Sequence, residues 1–183
     1  VSKRLFPTGP SRSDRGAIAA FCLYDVADSA FATTILAVLF NKYFAQQVAG
    51  GPTGVRLLGA TVPGATLYSW LVSVTMLFVA IAAPPLGALA DAAGRRMAML
   101  RVLTIVGASS TVLLATVGPG AWVRGSILFG IAYAAFALAS VIYNALLPGL
   151  VEQNRLGRIS GLAWGLGYLG GGIVLGINLL MLQ

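Results

Sequence analysis

Five apolar runs, each long enough to cross a bilayer and separated by short breaks rich in glycine, proline or charge, decide what this chain can become. About 20 apolar residues rising about 1.5 Å each cover a hydrocarbon core of about 30 Å, and a helix satisfies every backbone group within its own segment. The runs predict helices over about Gly16 to Phe44, Gly64 to Ala90, Met97 to Val117, Trp122 to Leu147 and Arg158 to Leu180. The breaks agree. Gln46 to Pro63 carries Gly50, Gly51, Pro52 and Gly54 and reads as a first external loop, Gly118-Pro119-Gly120 as a tight turn, and Pro148-Gly149 as a helix stop before the polar Glu152-Gln153-Asn154-Arg155. Pro84-Pro85 predicts a kink near the end of the second helix. The fold class is therefore all-α, a polytopic transmembrane helix bundle of about five helices over residues 16–183, behind a polar cytoplasmic leader over residues 1–15.

Composition removes the main alternatives. Charged residues make up 9% of the chain and hydrophobic ones 58%, against about 25% charged in soluble domains. A net charge of +7 would suit nucleic acid, but the basic residues are scattered between apolar runs, with no stripe of interleaved aromatics, so no nucleic-acid partner is expected. They follow topology instead. Lys3, Arg4, Arg12, Arg15, Arg95, Arg96, Arg101, Arg155 and Arg158 flank one side, against Lys42, Arg56 and Arg124 on the other, which predicts a cytoplasmic N-terminus. The first run exceeds the apolar core of about 7 to 15 residues in a cleavable signal, so it reads as a retained helix. There is no histidine, and the one cysteine, Cys22, lies inside an apolar run. No metal site, cofactor or enzymatic constellation of nucleophile and base is expected. Acid–base work falls on Asp14, Asp25, Asp28, Asp91 and Glu152.

Two of these acids interrupt the first helix. Asp25, Asp28 and Ser29, next to Tyr24, share about a third of the helix circumference, with Thr33 at its margin. A carboxylate in the hydrocarbon zone costs about 2.5 to 3.5 kcal/mol on insertion scales, so such residues face a protein interior or an aqueous cavity and mark a pathway. Asp25, with Asp28, is the candidate for binding a proton or a cationic group. The competing reading places both acids at a hydrated inner mouth, paired with an arginine to fix helix packing. On the fourth helix Tyr133, Ala137, Ser140 and Asn144 form a stripe that reads equally as a polar lining or as interhelical hydrogen bonds. Ser69, Ser73, Ala80 and Gly87 form a small-residue packing seam on the second helix. On the fifth, Gly161, Gly165, Gly172 and Gly176 align along one edge and Gly167 and Gly171, with Asn178, along another, which predicts a helix clamped between neighbours.

The connector Leu86-Gly87-Ala88-Leu89-Ala90-Asp91-Ala92-Ala93-Gly94-Arg95-Arg96 joins the second and third helices. Gly87 and Ala88 reduce bulk there, Asp91 is placed to cap the next helix, Gly94 permits the turn, and Arg95 and Arg96 are expected in water. Its spacing resembles the loop between the second and third helices of the major facilitator superfamily, with Ala92 where that family commonly has a basic residue. Tyr24-Asp25-Val26-Ala27-Asp28-Ser29-Ala30 is similar to the first-helix Tyr-Asp-Trp-Ala-Asn-Ser-Ala of one branch, the transporters resembling the autophagy-associated vacuolar amino acid effluxer. Val26 replaces Trp and Asp28 replaces Asn. Tyr143 to Pro148, Gly157 to Gly161 and Gly167 to Gly171 resemble the fourth-to-fifth-helix region of the same branch.

The resemblance implies the N-terminal part of a secondary-active carrier, proton or gradient coupled, for small solutes with amino acids among them, in a bacterial plasma membrane. The candidate pathway residues are thus Asp25, Asp28, Ser29, Tyr24, Tyr133, Ser140 and Asn144, and Gly87, Asp91, Gly94, Arg95 and Arg96 make the candidate conformational-switch loop. Members have about twelve helices in two halves with the solute held between them, so the expected partners are lipid, solute, protons, and a missing C-terminal half or a second subunit. The alternative is an inactive truncated remnant, or a structural or assembly subunit without transport activity.

Overall fold

The structure, a computed structural model, describes residues 12–57 and 59–181. The leader expected over 1–15 lies outside the described residues as far as residue 11, and from Arg12 the chain is already helical. Helix α1 (Arg12–Ala30) continues through a π-helical stretch (Phe31–Leu39), one turn of α2 (Phe40–Tyr43) and a π-helical end (Phe44–Val48). After the ribbon strands β1 (Val55–Leu57) and β2 (Ala60–Val62) come α3 (Gly64–Ala92), α4 (Arg96–Leu114), α5 (Trp122–Asn144), the single turn α6 (Leu147–Leu150) and, after a 3₁₀ turn at Gln153–Arg155, α7 (Leu156–Met181). Five helical segments are long and apolar enough to cross a membrane: Arg15–Val48, Gly64–Ala92, Arg96–Leu114, Trp122–Leu150 and Gln153–Met181. The all-α expectation holds, and the chain is an integral, multi-pass membrane protein.

Two details depart from the simple helix-and-loop picture. The segment after Val48 contains an antiparallel ribbon, Val55 opposite Val62 and Leu57 opposite Ala60, closed by glycines rather than by a long apolar alternation. Gly54 adopts φ +63° beside Val62, a left-handed conformation in which a side chain would also strike the Val62 carbonyl. Helix α3 runs on through Pro84 and Pro85, whose missing N–H groups leave the Ala80 and Ile81 carbonyls without their usual intrahelical donors.

The bundle packs in pairs, α1 on α7 and α4 on α5, with α3 against α5 and the Phe44–Val48 turn. Two apolar clusters hold it. At the hairpin end, Phe40, Phe44 and Val48 meet Leu67 and Tyr68 of α3, Leu114 and Val117, and Phe129 of α5. At the end bearing the α3–α4 turn, Phe21 and Cys22 meet Ala90, Leu100, Ala139, Ile142 and Tyr143, with Ile159 and Ala163 of α7. Along α1 and the π-helical stretch that continues it, the polar residues Asp25, Asp28, Ser29 and Thr33 fall between these two clusters. Helix α1 reaches α5 through rings: Phe21 and Tyr24 stack on Tyr143 at 4.1 and 4.7 Å, and Phe31 stacks on Phe136 at 4.0 Å. The Tyr143 hydroxyl donates to the Phe21 carbonyl at 2.8 Å, which satisfies the one polar atom this buried ring carries. On α4, Gly107 lets the Phe136 ring lie against the helix, since a Cβ there would come within 2.9 Å of it.

The glycine edges divide. Gly167 and Gly171 are buried against α1. Gly161, Gly165, Gly172 and Gly176 have nothing within 4 Å of where a Cβ would stand, so the expected clamp on both sides is corrected to a clamp on one. The small-residue seam of the second helix is corrected likewise. Ser69, Ser73 and Ala80 are exposed, and α3 packs instead through Leu67, Tyr68, Thr75 and Val79, because these larger side chains reach α5 and the hairpin-end cluster.

Candidate functional site

Asp25, Asp28 and Ser29 lie on the α1 face turned toward α5 and α7, where helical spacing stacks positions three and four residues apart. With Ala32 and Thr33 below them, Ser140 and Asn144 from α5, and Trp164 and Tyr168 from α7, they line a cavity of about 170 Å³. Helix α7 makes room by omitting side chains. A Cβ on Gly167 would run into Asp25 Oδ2 and lie 2.7 Å from Ser29 Oγ, and one on Gly171 would lie 3.0 Å from the Ser29 carbonyl. Thr33 Oγ1 stands between the two helices, 2.9 Å from the Ser29 carbonyl and 3.2 Å from that of Gly171. Ser140 Oγ is 3.5 Å from Asp28 Oδ2, and Asn144 Nδ2 donates to the Ser140 carbonyl at 2.8 Å.

Among the described residues the ion pair is Asp91–Arg96, so no described arginine or lysine neutralises Asp25 or Asp28. Both carboxylates face a polar cavity that has hydroxyl donors at hand and no basic side chain paired with them among the described residues. Such a site suits a group that arrives carrying positive charge, a proton or a cationic solute. Among the described residues no group of three His, Cys, Asp or Glu side chains is placed to hold a metal.

Five of the seven candidate pathway residues, Asp25, Asp28, Ser29, Ser140 and Asn144, come together here. Tyr24 and Tyr133 do not. Tyr24 is committed to Thr104 Oγ1 of α4 at 3.2 Å and to the Tyr143 stack, and Tyr133 packs on Phe129 at 5.7 Å beside the hairpin-end cluster. Trp164 and Tyr168 were not legible as lining residues from either helix alone. Their signal is an aromatic pair four residues apart on a helix otherwise rich in glycine, next to the Gly167 edge.

At the α3–α4 turn, Gly94 takes φ +60° and closes the connector. Asp91 is still inside the last turn of α3, and the N-cap of α4 is Arg95 with no side-chain cap, which corrects the expected capping role. The Asp91 carboxylate instead accepts a hydrogen bond from Arg96 Nε. Arg96 is not simply in water either: its Nη1 donates to the Ala145 carbonyl at 2.9 Å, one of the carbonyls left without a partner where α5 ends. One guanidinium thus ties α3, α4 and the end of α5. Arg95 is exposed and lines a separate apolar hollow of about 480 Å³ with Leu86, Leu89 and Met99. Gly87 lies within α3 with open space where a Cβ would be, so it makes no close approach here.

Arg96→Ala releases both contacts together. It is expected to lower the thermal midpoint in detergent at low ionic strength, with the deficit narrowing as salt is raised, because exposed ion pairs are screened. Thermal unfolding across a salt series checks this, and a deficit independent of salt would assign the effect to the Ala145 hydrogen bond alone.

The family described as "Vacuole effluxer Atg22 like" matches residues 13–183. The chain belongs to that family. Both the cavity and the Asp91–Arg96 connector of this Atg22-like chain lie inside the matched range. It is also 25% identical over 148 residues to the uncharacterized MFS-type transporter YxiO of Bacillus subtilis (strain 168), a match covering 81% of this chain and 33% of that protein. The Atg22-like chain thus spans about a third of the length of that curated relative. No solved structure matches it significantly.

Proposed function

We propose that the chain forms one wall of the solute pathway in a secondary-active membrane transporter for small solutes, amino acids among them, driven by a proton or other gradient. The observation that carries this reading is the placement of Asp25 and Asp28 on a polar cavity between helices, facing Ser140 and Asn144, without a basic partner among the described residues. Asp25 acts as the exchangeable charge, and Ser29, Ser140 and Asn144 supply hydrogen bonds to the solute. The connector with Gly94, Asp91, Arg95 and Arg96 acts as the conformational switch, its tie to Ala145 made in one state and released in the other. The N-terminus is cytoplasmic and the membrane a bacterial plasma membrane. The remaining wall comes from further helices or a second subunit, and no enzymatic step is involved.

The test is uptake of a panel of radiolabelled amino acids, under an imposed pH gradient, by proteoliposomes holding the complete transporter, this chain together with the helices or subunit that supply the remaining wall. Gradient-driven accumulation that a protonophore abolishes supports the reading; equal tracer content in loaded and empty vesicles across the panel contradicts it. A second reading, an assembly subunit, draws on the open edge of Gly161, Gly165, Gly172 and Gly176, which would let another helix approach closely. It predicts stable association through that edge with no flux.

A further inference from the structure

We infer that Trp164 and Tyr168 form an aromatic wall selecting solutes whose ammonium nitrogen carries alkyl groups. The inference deepens the transport reading and rests on it. The two rings meet edge to face, centroids 5.0 Å apart and planes at 89°, and both line the cavity that holds Asp25 and Asp28. They are 64% and 60% exposed, so burial in this bundle does not explain two large aromatics on that side of α7. Perpendicular rings present two π faces at a corner, the beginning of a cage around a weakly hydrated cation.

The rest of the cavity narrows the class. Two partly buried carboxylates without a basic partner among the described residues repel an anionic solute and gain no countercharge from a neutral one. A hard metal cation wants six or more oxygen ligands and gains little from aromatic faces. A proton alone needs no aromatic wall. An ammonium centre uses every component: carboxylates for its charge, the rings for its apolar substituents, and a space of about 170 Å³ for its bulk.

The test uses the protein in lipid nanodiscs and calorimetric titration with choline and with its uncharged isostere 3,3-dimethylbutan-1-ol. Saturable choline binding is expected, without competition from the isostere. W164L should weaken it about 2- to 5-fold, the range of a cation–π contact at an exposed ring, and W164F, which keeps a π face, should retain most of the affinity. Circular dichroism of each variant verifies that the helices persist. Failure of choline to bind, equal binding of both probes, or unchanged affinity in W164L would overturn the inference. If choline does not bind while flux of a zwitterionic solute still depends on Asp25, the inference fails and the transport reading stands; absence of any Asp25-dependent flux removes the transport reading itself.

Discussion

Asp25→Asn is expected to reduce gradient-driven flux to the level of empty vesicles. Asparagine preserves the shape of the side chain and its hydrogen-bonding reach over Gly167, so the α1–α7 contact survives, but it can neither carry negative charge nor exchange a proton at this site. The loss would therefore be chemical rather than structural, and an unaltered thermal midpoint beside abolished flux is the predicted pair of results. Asp28→Asn makes an internal comparison. The branch this chain resembles carries asparagine at that position, and Asp28 is engaged by Ser140 at the edge of hydrogen-bonding distance. Flux should be reduced but measurable. Wild-type flux in Asp25→Asn would remove the exchangeable-charge role, leaving the carboxylate as a packing element.

The second large effect falls on stability. In Gly167→Ala the new methyl group collides with Asp25 Oδ2 and presses on Ser29 Oγ, so α1 and α7 must separate or the carboxylate must leave the cavity. Overpacking of this kind costs about 1–3 kcal/mol, and it acts on the contact that joins α7 to α1. Gly165→Ala, two residues away, meets nothing within 4 Å. It should be neutral or stabilising by about 0.5–1 kcal/mol, as expected where a helical glycine gains a side chain without a clash. Thermal unfolding of the two variants in the same detergent separates them. Equal midpoints would mean that α7 does not seat on α1 as described.

The pairing of those glycines shows where sequence reading stops. Hydropathy marked all five spans because length and apolarity are local properties, and the acids at 25 and 28 stood out because carboxylates are rare where lipid is the alternative. Which glycine edge meets a neighbour is a tertiary fact. Gly161, Gly165, Gly172 and Gly176 look as good on a helical wheel as Gly167 and Gly171, and only the position of Asp25 and Ser29 across the gap distinguishes them. The same limit explains Tyr24 and Tyr133, which share a stripe with true lining residues yet spend their rings on Tyr143 and Phe129. It explains Trp164 and Tyr168 in reverse, since aromatics on an apolar helix read as lipid-facing until the cavity beside them is seen. Asp91 illustrates boundary error. Acid before a turn suggested a cap for the next helix, but α3 extends past it to Ala92, so the side chain is too early to cap and binds the Arg96 guanidinium instead.

The claim on which everything else depends is that the α1 acids face a polar interior. It is tested most directly by a single spin label at position 28, introduced as Asp28→Cys after replacing the sole cysteine, Cys22, with alanine, in lipid nanodiscs. Relaxation by a water-soluble nickel chelate is compared there with relaxation by oxygen, which concentrates in the acyl chains, using a label at Leu23, exposed on the outside of this bundle, as the reference. Greater nickel than oxygen accessibility at position 28, with the opposite order at 23, is predicted. Oxygen-dominated relaxation at both positions would contradict the account.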